Sequence, residues 1–540
     1  MWRVFERRQG PEPPEGFGSA VAGVGDVDAD GVPDLAVGSP GAAPGGRNGA
    51  GRVHVFSGAT GETLLVLDGD TQGGHLGSAL APAGDLNGDG HADILAGAPG
   101  LGRSNAGGGV IVFSGADGSE LLRWEDTLEE YGIGEAVAGG ADLTGDGIPD
   151  VVAGGSGDSS LFAFLWHEGK VVVLSGADGS LVRDTHGGPF DNLGRNVGVL
   201  GDLDGNGYGD WFYSVPRWDD TSFDEDSGLL VVVLEPSGAT LITPPEIGDE
   251  LYSGQALGDF DGDGRRDIAG QTSFSDLGGF TANGGILIWS ALDGTLLHTI
   301  PNVPGSWTYT WTGDGGDLNG DGFAELLAVR DESNGPGLDL DVLAGPDGRL
   351  LYSFPLGGPD ATNLNRVTLA PLGDAAGTGY PQFAVGMPHT SRAGFYSRGL
   401  VGIAGFEPFL RPSTDRILAS TGGTLRIDLR FPPDAAGEFW QLLLSATGTG
   451  PTPVAGLNVP LSQDSLFLRT LAGDYAMLES VQGATGVLDA QGRGRIEVAF
   501  SPGTLAPLVG QDYFAAVATG PDPAGNGHYV SAAVRILIEP

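Results

Sequence analysis

The sequence predicts an all-β protein, a seven-bladed β-propeller followed by a C-terminal β-sandwich. Short runs rich in Val, Ile and Leu alternate with Gly-rich turns, and no helical periodicity competes with them. A repeat that carries several short strands is typical of propeller blades. The repeat is marked by an acidic motif that recurs seven times, 57 to 60 residues apart, with its first residue at Asp26, Asp85, Asp142, Asp202, Asp259, Asp317 and Asp374.

Each repeat predicts four antiparallel strands, which we name A to D in chain order. Strand A precedes the acidic motif and strand B follows it, as in DILAG at residues 93–97. Strands C and D form a hairpin, as in GGVIVFSGADGSELLRW at 108–124, where A-D-G between two apolar runs indicates a tight turn.

The two ends of the repeat region predict how the ring closes. The seventh repeat has strands A, B and C but no strand D, whereas the segment VFER at residues 4–7 precedes the first repeat. We expect this segment to be the outer strand of blade seven, so that residues 1–408 form the propeller. Residues 409–540 contain strand-like runs and no acidic motif, which predicts a separate β-sandwich domain.

The composition excludes several classes of function. The formal net charge is −44, from 70 acidic and 26 basic residues, so nucleic acid and anionic membranes are not expected partners. No apolar run approaches 18 residues, so no membrane-inserted segment is expected. Cysteine is absent, so disulfides cannot stabilise the fold and a bound metal is the obvious alternative.

The acidic motif follows the pattern D-x-[D/N/T]-x-[D/N]-G-x-x-[D/E], which predicts a calcium loop other than an EF-hand. An EF-hand places a bidentate Glu at loop position 12, but counting from Asp85 that position is Ala96. The last carboxylate comes instead at position 9, which is Asp93 in the same loop. Side chains at positions 1, 3 and 5 can converge on one cation, the glycine at position 6 permits the sharp turn, and the position-7 carbonyl and position-9 carboxylate complete the shell.

Six loops fit this pattern, and we expect one structural Ca²⁺ in each. The seventh loop, DAAGTGYPQ from Asp374, keeps too few acids and is expected to hold no calcium. The alternative for any single loop is a turn whose polar side chains satisfy their own backbone. The predicted ligands, with position 7 contributing its carbonyl, are Asp26, Asp28, Asp30, Val32 and Asp34; Asp85, Asn87, Asp89, His91 and Asp93; Asp142, Thr144, Asp146, Ile148 and Asp150; Asp202, Asp204, Asn206, Tyr208 and Asp210; Asp259, Asp261, Asp263, Arg265 and Asp267; and Asp317, Asn319, Asp321, Phe323 and Glu325.

These motifs resemble the FG-GAP repeat of integrin α-subunit propellers and related bacterial proteins. A G-A-P element follows the acidic loop at residues 97–99, and an apolar residue followed by Gly precedes the loop in the first four repeats, at Phe17, Leu76, Ile133 and Leu193. The resemblance covers about residues 1–408, and repeats five to seven lack the F-G element at that offset. It implies a propeller with structural calcium on the face opposite the ligand surface. The absence of cysteine and of N-glycosylation sequons favours a bacterial surface protein.

The loops between strands B and C vary most and are expected to build the ligand face, because the acidic loops and the C–D turns share the other face. Exposed aromatic side chains beside acids and amides suit recognition of a glycan or a protein. The alternative is that these side chains pack against one another or against the C-terminal domain. The candidate ligand-face residues, from blades three to five, are Trp166, His167, Trp218, Asp219, Phe223 and Phe274.

No convincing catalytic constellation is present in the sequence. The eight histidines are scattered, and no nucleophile elbow or phosphate-binding Gly-rich loop appears. We expect a non-enzymatic, extracellular or cell-surface binding protein, although Met1-Trp2-Arg3 does not begin a signal peptide. The alternatives are a secreted polysaccharide-cleaving enzyme and a self-associating subunit of a surface layer or filament.

Overall fold

The computed structural model is an all-β protein in which seven four-stranded sheets form the blades of a propeller. A single short α-helix, Ser465–Leu471, and one 3-10 turn, Pro44–Gly46, are the helical elements among the described residues. None of the described helices is long and apolar enough to cross a membrane. The structure describes residues 2–9, 15–102, 107–126, 131–157, 168–189, 191–216, 228–242, 251–272, 284–302, 307–318, 322–332, 338–348, 350–356, 367–375, 381–388, 399–406, 410–412, 416–418, 423–430, 439–446, 451–454, 457–460, 465–472, 480–482, 485–489, 493–500, 512–520 and 534–539.

Blades one to six are antiparallel sheets whose strands A to D follow one another in the chain, as the repeat predicts. Strands A to D are Val21–Gly25, Asp34–Ser39, Arg52–Phe56 and Thr63–Asp68 in blade one; Leu80–Gly84, Asp93–Ala98, Gly109–Phe113 and Glu120–Glu125 in blade two; Ala136–Ala141, Asp150–Gly155, Lys170–Leu174 and Leu181–His186 in blade three; Val197–Gly201, Asp210–Val215, Leu229–Leu234 and Gly238–Ile242 in blade four; Leu251–Leu257, Asp267–Thr272, Gly285–Ser290 and Leu296–Pro301 in blade five; Trp307–Gly316, Glu325–Glu332, Leu338–Leu343 and Leu350–Pro355 in blade six; and Thr368–Gly373, Gln382–Met387 and Leu400–Phe406 in blade seven.

The blades are held together by their apolar faces. Strand B is buried along its whole length in blades one, two, three, five and seven, because both faces of the sheet meet a neighbouring blade. One such cluster joins blades one and two through Val53 and Val55 on one side and Ile94 and Ile111 on the other. The outer strand D is more exposed, and in blade three most of its residues face solvent.

The F-G and G-A-P elements bring the backbones of adjacent blades into direct contact. A Cβ added to Gly38 of blade one would lie 2.0 Å from the carbonyl oxygen of Gly77 in blade two. The same approach joins Gly97 to Gly134, where the corresponding distance is 2.1 Å. No side chain fits between two backbones at this distance, so both elements require glycine. The pairing explains why the two elements occur together.

The apolar residue of the F-G element packs under the start of strand C in the preceding blade. Leu76 is 1% exposed, and a Cβ added to Gly51 would lie 2.2 Å from its carbonyl oxygen. Blade five keeps this contact through Leu251, which is fully buried beside Gly228. Leu251 lies one residue closer to its acidic loop than Leu76 does. The fixed offset of the sequence motif therefore missed a contact that the fold retains.

The ring is closed by the N-terminus. Strand Trp2–Gln9 is the outer strand of blade seven, beside Leu400–Phe406. The first and last repeats also meet at their backbones, since a Cβ added to Gly399 would lie within 2 Å of the carbonyl oxygen of Phe17. The closure joins segments about 400 residues apart in sequence.

Removing residues 1–10 should lower the melting temperature, because blade seven then exposes the edge of strand C and its apolar side chains. Circular dichroism melts of the full chain and the truncated chain measure the effect. As a control, Thr63→Ala, at an exposed position in the outer strand of blade one, should leave the melting temperature nearly unchanged. A truncated chain that melts with the full-length protein would contradict this account of ring closure.

The chain divides into two compact units, one of Val4–Gly316 with Phe323–Gly405 and one of Phe406–Pro540 with Met1–Arg3 and Asp317–Gly322. The C-terminal β-sandwich stays a prediction. The described C-terminal strands form one four-stranded sheet, one five-stranded sheet and one two-stranded ribbon. Their bounds are Leu410–Pro412, Arg416–Leu418, Gly423–Arg430, Phe439–Ser445, Pro451–Val454, Leu457–Pro460, Ser480–Gln482, Thr485–Val487, Arg493–Phe500, Asp512–Gly520 and Val534–Glu539.

Candidate metal centre and the opposite face

The acidic loops connect strand A to strand B, as the sequence predicts. We number their residues 1 to 9, beginning at Asp26, Asp85, Asp142, Asp202, Asp259 and Asp317. The glycine at position 6 has a positive φ in every loop, +87° at Gly31 and +93° at Gly322. A Cβ at either glycine would meet no atom within 4 Å. The backbone conformation, and not crowding, therefore requires glycine at this position.

The aspartate at position 1 organises the loop backbone. In loop one, Asp26 Oδ1 accepts a hydrogen bond from the Asp30 amide at 3.0 Å and Oδ2 accepts one from the Gly31 amide at 2.8 Å. Position 5 acts in the same way, since Asp30 Oδ1 accepts from the Val32 amide at 2.8 Å. Equivalent bonds from position 6 to position 1 recur in the other five loops, at 2.7 to 2.9 Å.

The carboxylate at position 9 opens strand B and is buried. Asp34, Asp93, Asp150 and Asp210 are each 0% exposed. Asp34 Oδ2 accepts from the Val27 amide at 2.7 Å and Oδ1 accepts from Gly58, in the turn after strand C, at 2.8 Å. The side chain thus links the acidic loop to the C–D turn, which places both on one face of the propeller.

Burial raises the pKa of the position-9 carboxyls in loops one to five. Loss of hydration is the largest cause at Asp34, Asp93, Asp150 and Asp210, and the backbone hydrogen bonds offset only part of it. At Asp267 burial, together with the charges of Asp261, Asp263 and Asp259, raises the pKa to about 7. A cation beside these groups would stabilise their ionised form.

Among the residues that the structure describes, three loops bring three carboxylates together. Their ligand-type oxygen atoms lie within 4.8 Å of one another, which is close enough for a single hard cation to bind all three. The triads are Asp26, Asp28 and Asp34; Asp202, Asp204 and Asp210; and Asp259, Asp261 and Asp263.

Loops two and three contain a neutral residue at position 3. In loop two, the Asn87 amide donates to Asp89 at 2.8 Å. In loop three, the Thr144 hydroxyl is buried beside the Asp150 carboxylate and makes no well-aligned hydrogen bond among the described residues. A cation could coordinate both oxygens, so the donor set fits a hard divalent ion.

The remaining loops are described only in part. Asn319 and Asp321 of loop six lie outside the described residues, whereas Glu325 is fully buried at the start of strand B. In loop seven the buried Gln382 replaces the position-9 acid and donates to Asp374 at 3.4 Å.

Position 7 has a further role that the sequence did not reveal, because its side chain reaches the acidic loop of the preceding blade. His91 Nδ1 lies 2.7 Å from the Val27 carbonyl oxygen, and Arg265 Nε donates to the Leu203 carbonyl at 2.6 Å. The Tyr208 ring covers Gly145 in the same manner.

Backbone bonds strengthen these links between neighbouring loops. The Ala92 amide donates to the Asp26 carbonyl at 3.0 Å, and the same bond from position 8 to position 1 recurs from Gly209 to Asp142 and from Ala324 to Asp259. These contacts connect loops one and two, three and four, four and five, and five and six. A cation that ordered one loop would also stabilise its junction with the next.

The opposite end of strand A surrounds an axial cavity of about 920 Å³. Residues two apart on a strand share a face, so each blade contributes an outer and an inner position. All seven blades line the cavity. The outer positions are Ser19, Ser78, Glu135, Arg195, Ser253, Thr310 and Val367, and the inner positions are Val21, Leu80, Val137, Val197, Gln255, Thr312 and Leu369.

The predicted ligand-face residues Trp166, His167, Trp218, Asp219, Phe223 and Phe274 lie outside the described residues. The sequence drew attention to these loops but missed the axial cavity. Its residues come from seven repeats and share no chemical type, so only their common place at the start of strand A could have revealed them.

Comparison with known proteins identifies the repeat. Residues 17–56 and 76–113 match the family model "FG-GAP repeat". These segments cover blades one and two from the F-G element to strand C. The resemblance seen in the sequence is therefore confirmed for the repeat itself.

Curated relatives found by sequence include integrin α subunits. Integrin alpha pat-2 of Caenorhabditis briggsae is 34% identical over 180 residues, which is 29% of this chain and 14% of that protein. Integrin alpha-5 of Xenopus laevis is 32% identical over 180 residues, 31% of this chain and 17% of that protein. The chain thus spans less than a fifth of the length of these relatives.

One solved structure, described as "Structure of Dos1 propeller", covers 69% of this chain and 75% of its own. Its sequence identity is 10% and its TM-score is 0.38.

Proposed function

We propose that this chain, whose FG-GAP repeats lie in a seven-bladed propeller, is a calcium-stabilised extracellular binding or adhesion protein. The observation that carries the proposal is that the two faces of the propeller differ in structure. One face holds the acidic loops, which are tied to the C–D turns and to one another. The other face opens into a cavity lined by all seven blades.

The acidic face is suited to binding a structural metal. It is poorly suited to reversible binding of a protein or glycan partner. Its buried carboxylates are committed to backbone amides, as at Asp34 and Asp93. Calcium in six loops would neutralise carboxylates that otherwise repel one another, and loop seven would bind none. Stability and recognition then reside on different surfaces of the same ring.

The opposite face is suited to recognition of a glycan or an extracellular protein. It contains an open cavity, and the sequence predicts that the variable B–C loops lie on the same face. The integrin α names of the relatives support an adhesion role for the shared repeats, over the matched part of the chain.

Binding by the calcium-loaded full chain tests this function. The chain should bind members of a glycan array or of a panel of purified extracellular-matrix proteins, and form no new reducing ends from polygalacturonate. Arg195→Ala, at the cavity mouth, should weaken binding, whereas Thr60→Ala, in an exposed C–D turn, should not. Binding to neither panel, cleavage of the polysaccharide, or calcium-dependent self-assembly in light scattering would each replace the adhesion proposal.

A further inference from the structure

The inner positions of the axial cavity have an apolar side and a polar side. Blades seven, one and two contribute Leu369, Val21 and Leu80 there, although Ser19, Ser78 and Thr368 also line the cavity. Blades five and six contribute Ser253, Gln255, Gln271, Thr310, Trp311 and Thr312. The lining is therefore amphipathic, which is the character of sites for small molecules that carry both polar groups and apolar surface.

The polar side is built into the sheets and does not depend on loop tips. Gln271 is 8% exposed, and its side-chain amide lies 3.1 Å from the Ser253 hydroxyl. The Thr310 hydroxyl donates to the Val329 carbonyl at 3.3 Å. These contacts fix the orientation of the polar groups before any ligand arrives, which lowers the entropic cost of binding.

The charge of the cavity lining indicates which charge a ligand can carry. Among the described residues that line the cavity, Glu135 is the acid and Arg195 the base, so their charges cancel. Glu135 is held by Ser156, whose hydroxyl and amide donate to it at 2.7 Å and 3.1 Å. Because the chain as a whole carries −44, an anionic ligand would be repelled on approach.

We propose that the axial cavity binds an uncharged oligosaccharide of two or three sugar units. This inference rests on the proposed binding function and names the ligand class for one site on that face. Hydroxyl and amide groups of blades five and six would pair with sugar hydroxyls, whereas a purely apolar ligand would leave them unsatisfied. Trp311 lines the cavity where strand A of blade six is irregular, and with the aliphatic inner positions it would provide surface for the apolar faces of sugar rings.

Titration calorimetry with uncharged trisaccharides tests the site. The probes are cellotriose, maltotriose and mannotriose, with trigalacturonate as the anionic comparison. We expect saturable binding of at least one uncharged trisaccharide and at least tenfold weaker binding of trigalacturonate. Trp311→Ala and Gln255→Leu should each weaken binding about tenfold, and Trp124→Phe, at a tryptophan outside the cavity lining, should leave it unchanged.

Three results would overturn the inference. The first is no binding of any uncharged trisaccharide at millimolar concentration. The second is sugar binding that Trp311→Ala and Gln255→Leu do not change while both variants melt like the parent. The third is binding to a matrix protein that these variants weaken in the absence of any sugar binding, which would assign the cavity to a protein ligand. In the second and third cases the binding function survives and only the ligand class or the site is wrong.

Discussion

Removal of divalent metal is expected to lower the melting temperature of this protein by about 10 °C or more. A ligand present at 100 times its Kd stabilises the folded state by about 2.7 kcal/mol per site. Several sites add, because the acidic loops occur in separate blades. Differential scanning calorimetry of the chain in excess EDTA and in millimolar calcium measures the shift.

The structural reason is that the loops combine buried acids with close exposed ones. Asp34 is fully buried, and an oxygen of Asp26, Asp28 and Asp34 each lies within 4.8 Å of the others. Without a cation these charges raise the free energy of the folded state, because the unfolded chain separates them. A chain without cysteine has no disulfides to compensate for this cost.

Asp28→Asn distinguishes stabilisation by bound metal from stabilisation by the hydrogen bonds of the loop. Asp28 is exposed, and its hydrogen bond is a long one, from the Asp30 amide at 3.3 Å. In calcium the variant should melt below the parent, because a ligand charge is lost. In EDTA it should melt at or above the parent, because repulsion within the triad falls. The same order of stability in both buffers would show that the carboxylate acts without metal.

The calcium effect should also depend on pH. The raised pKa of about 7 at Asp267 means that the folded, metal-free state binds a proton more tightly than the unfolded state. The protonated Asp267 carboxyl therefore stabilises the metal-free protein at low pH. That contribution is lost as the pH rises from about 4 through 7. Calcium needs the ionised form, so its stabilising effect should be greater at pH 8 than at pH 5.

Gly97→Ala is expected to cost about 3 kcal/mol or more of folding free energy. The new Cβ would lie 2.1 Å from the carbonyl oxygen of Gly134 and 2.9 Å from its carbonyl carbon, so one backbone must move. Both backbones belong to blades packed on two sides, which leaves little room for adjustment. Urea titration of the variant in calcium measures the loss.

Gly88→Ala is the matched control within the same blade. Gly88 has φ +72°, and a Cβ there would meet no atom within 4 Å. Its cost should be about 1 kcal/mol, from backbone conformation alone. A loss at Gly97 no greater than the loss at Gly88 would contradict the proposed contact between the F-G and G-A-P elements.

The propeller could be predicted from the sequence because its period is marked by residues with strict backbone requirements. The position-6 glycine needs a positive φ, and the position-9 acid must precede a buried strand, so both recur visibly. The C–D hairpins followed from their turn residues. Motif spacing was less reliable where the chain changes register, as at Leu251, where strand A of blade five contains an irregularity.

The contacts between blades could not be predicted, because they depend on position more than on residue type. His91 and Arg265 reach a neighbouring loop through hydrogen bonds, whereas Tyr208 does so through its ring. The axial cavity was missed for the same reason, since serine, glutamate, arginine and threonine occupy equivalent places in different blades. Equivalence of this kind becomes visible only when the ring is assembled.

The calcium content of the folded chain tests the central claim most directly. The metal-free protein is titrated with calcium in a calorimeter, and the bound metal is then counted by elemental analysis after dialysis. The account predicts about six Ca²⁺ per chain, one for each acidic loop from Asp26 to Asp317, with none at Asp374. A chain that binds no calcium and melts at the same temperature in EDTA would show that the acidic loops stabilise the propeller through their hydrogen bonds alone.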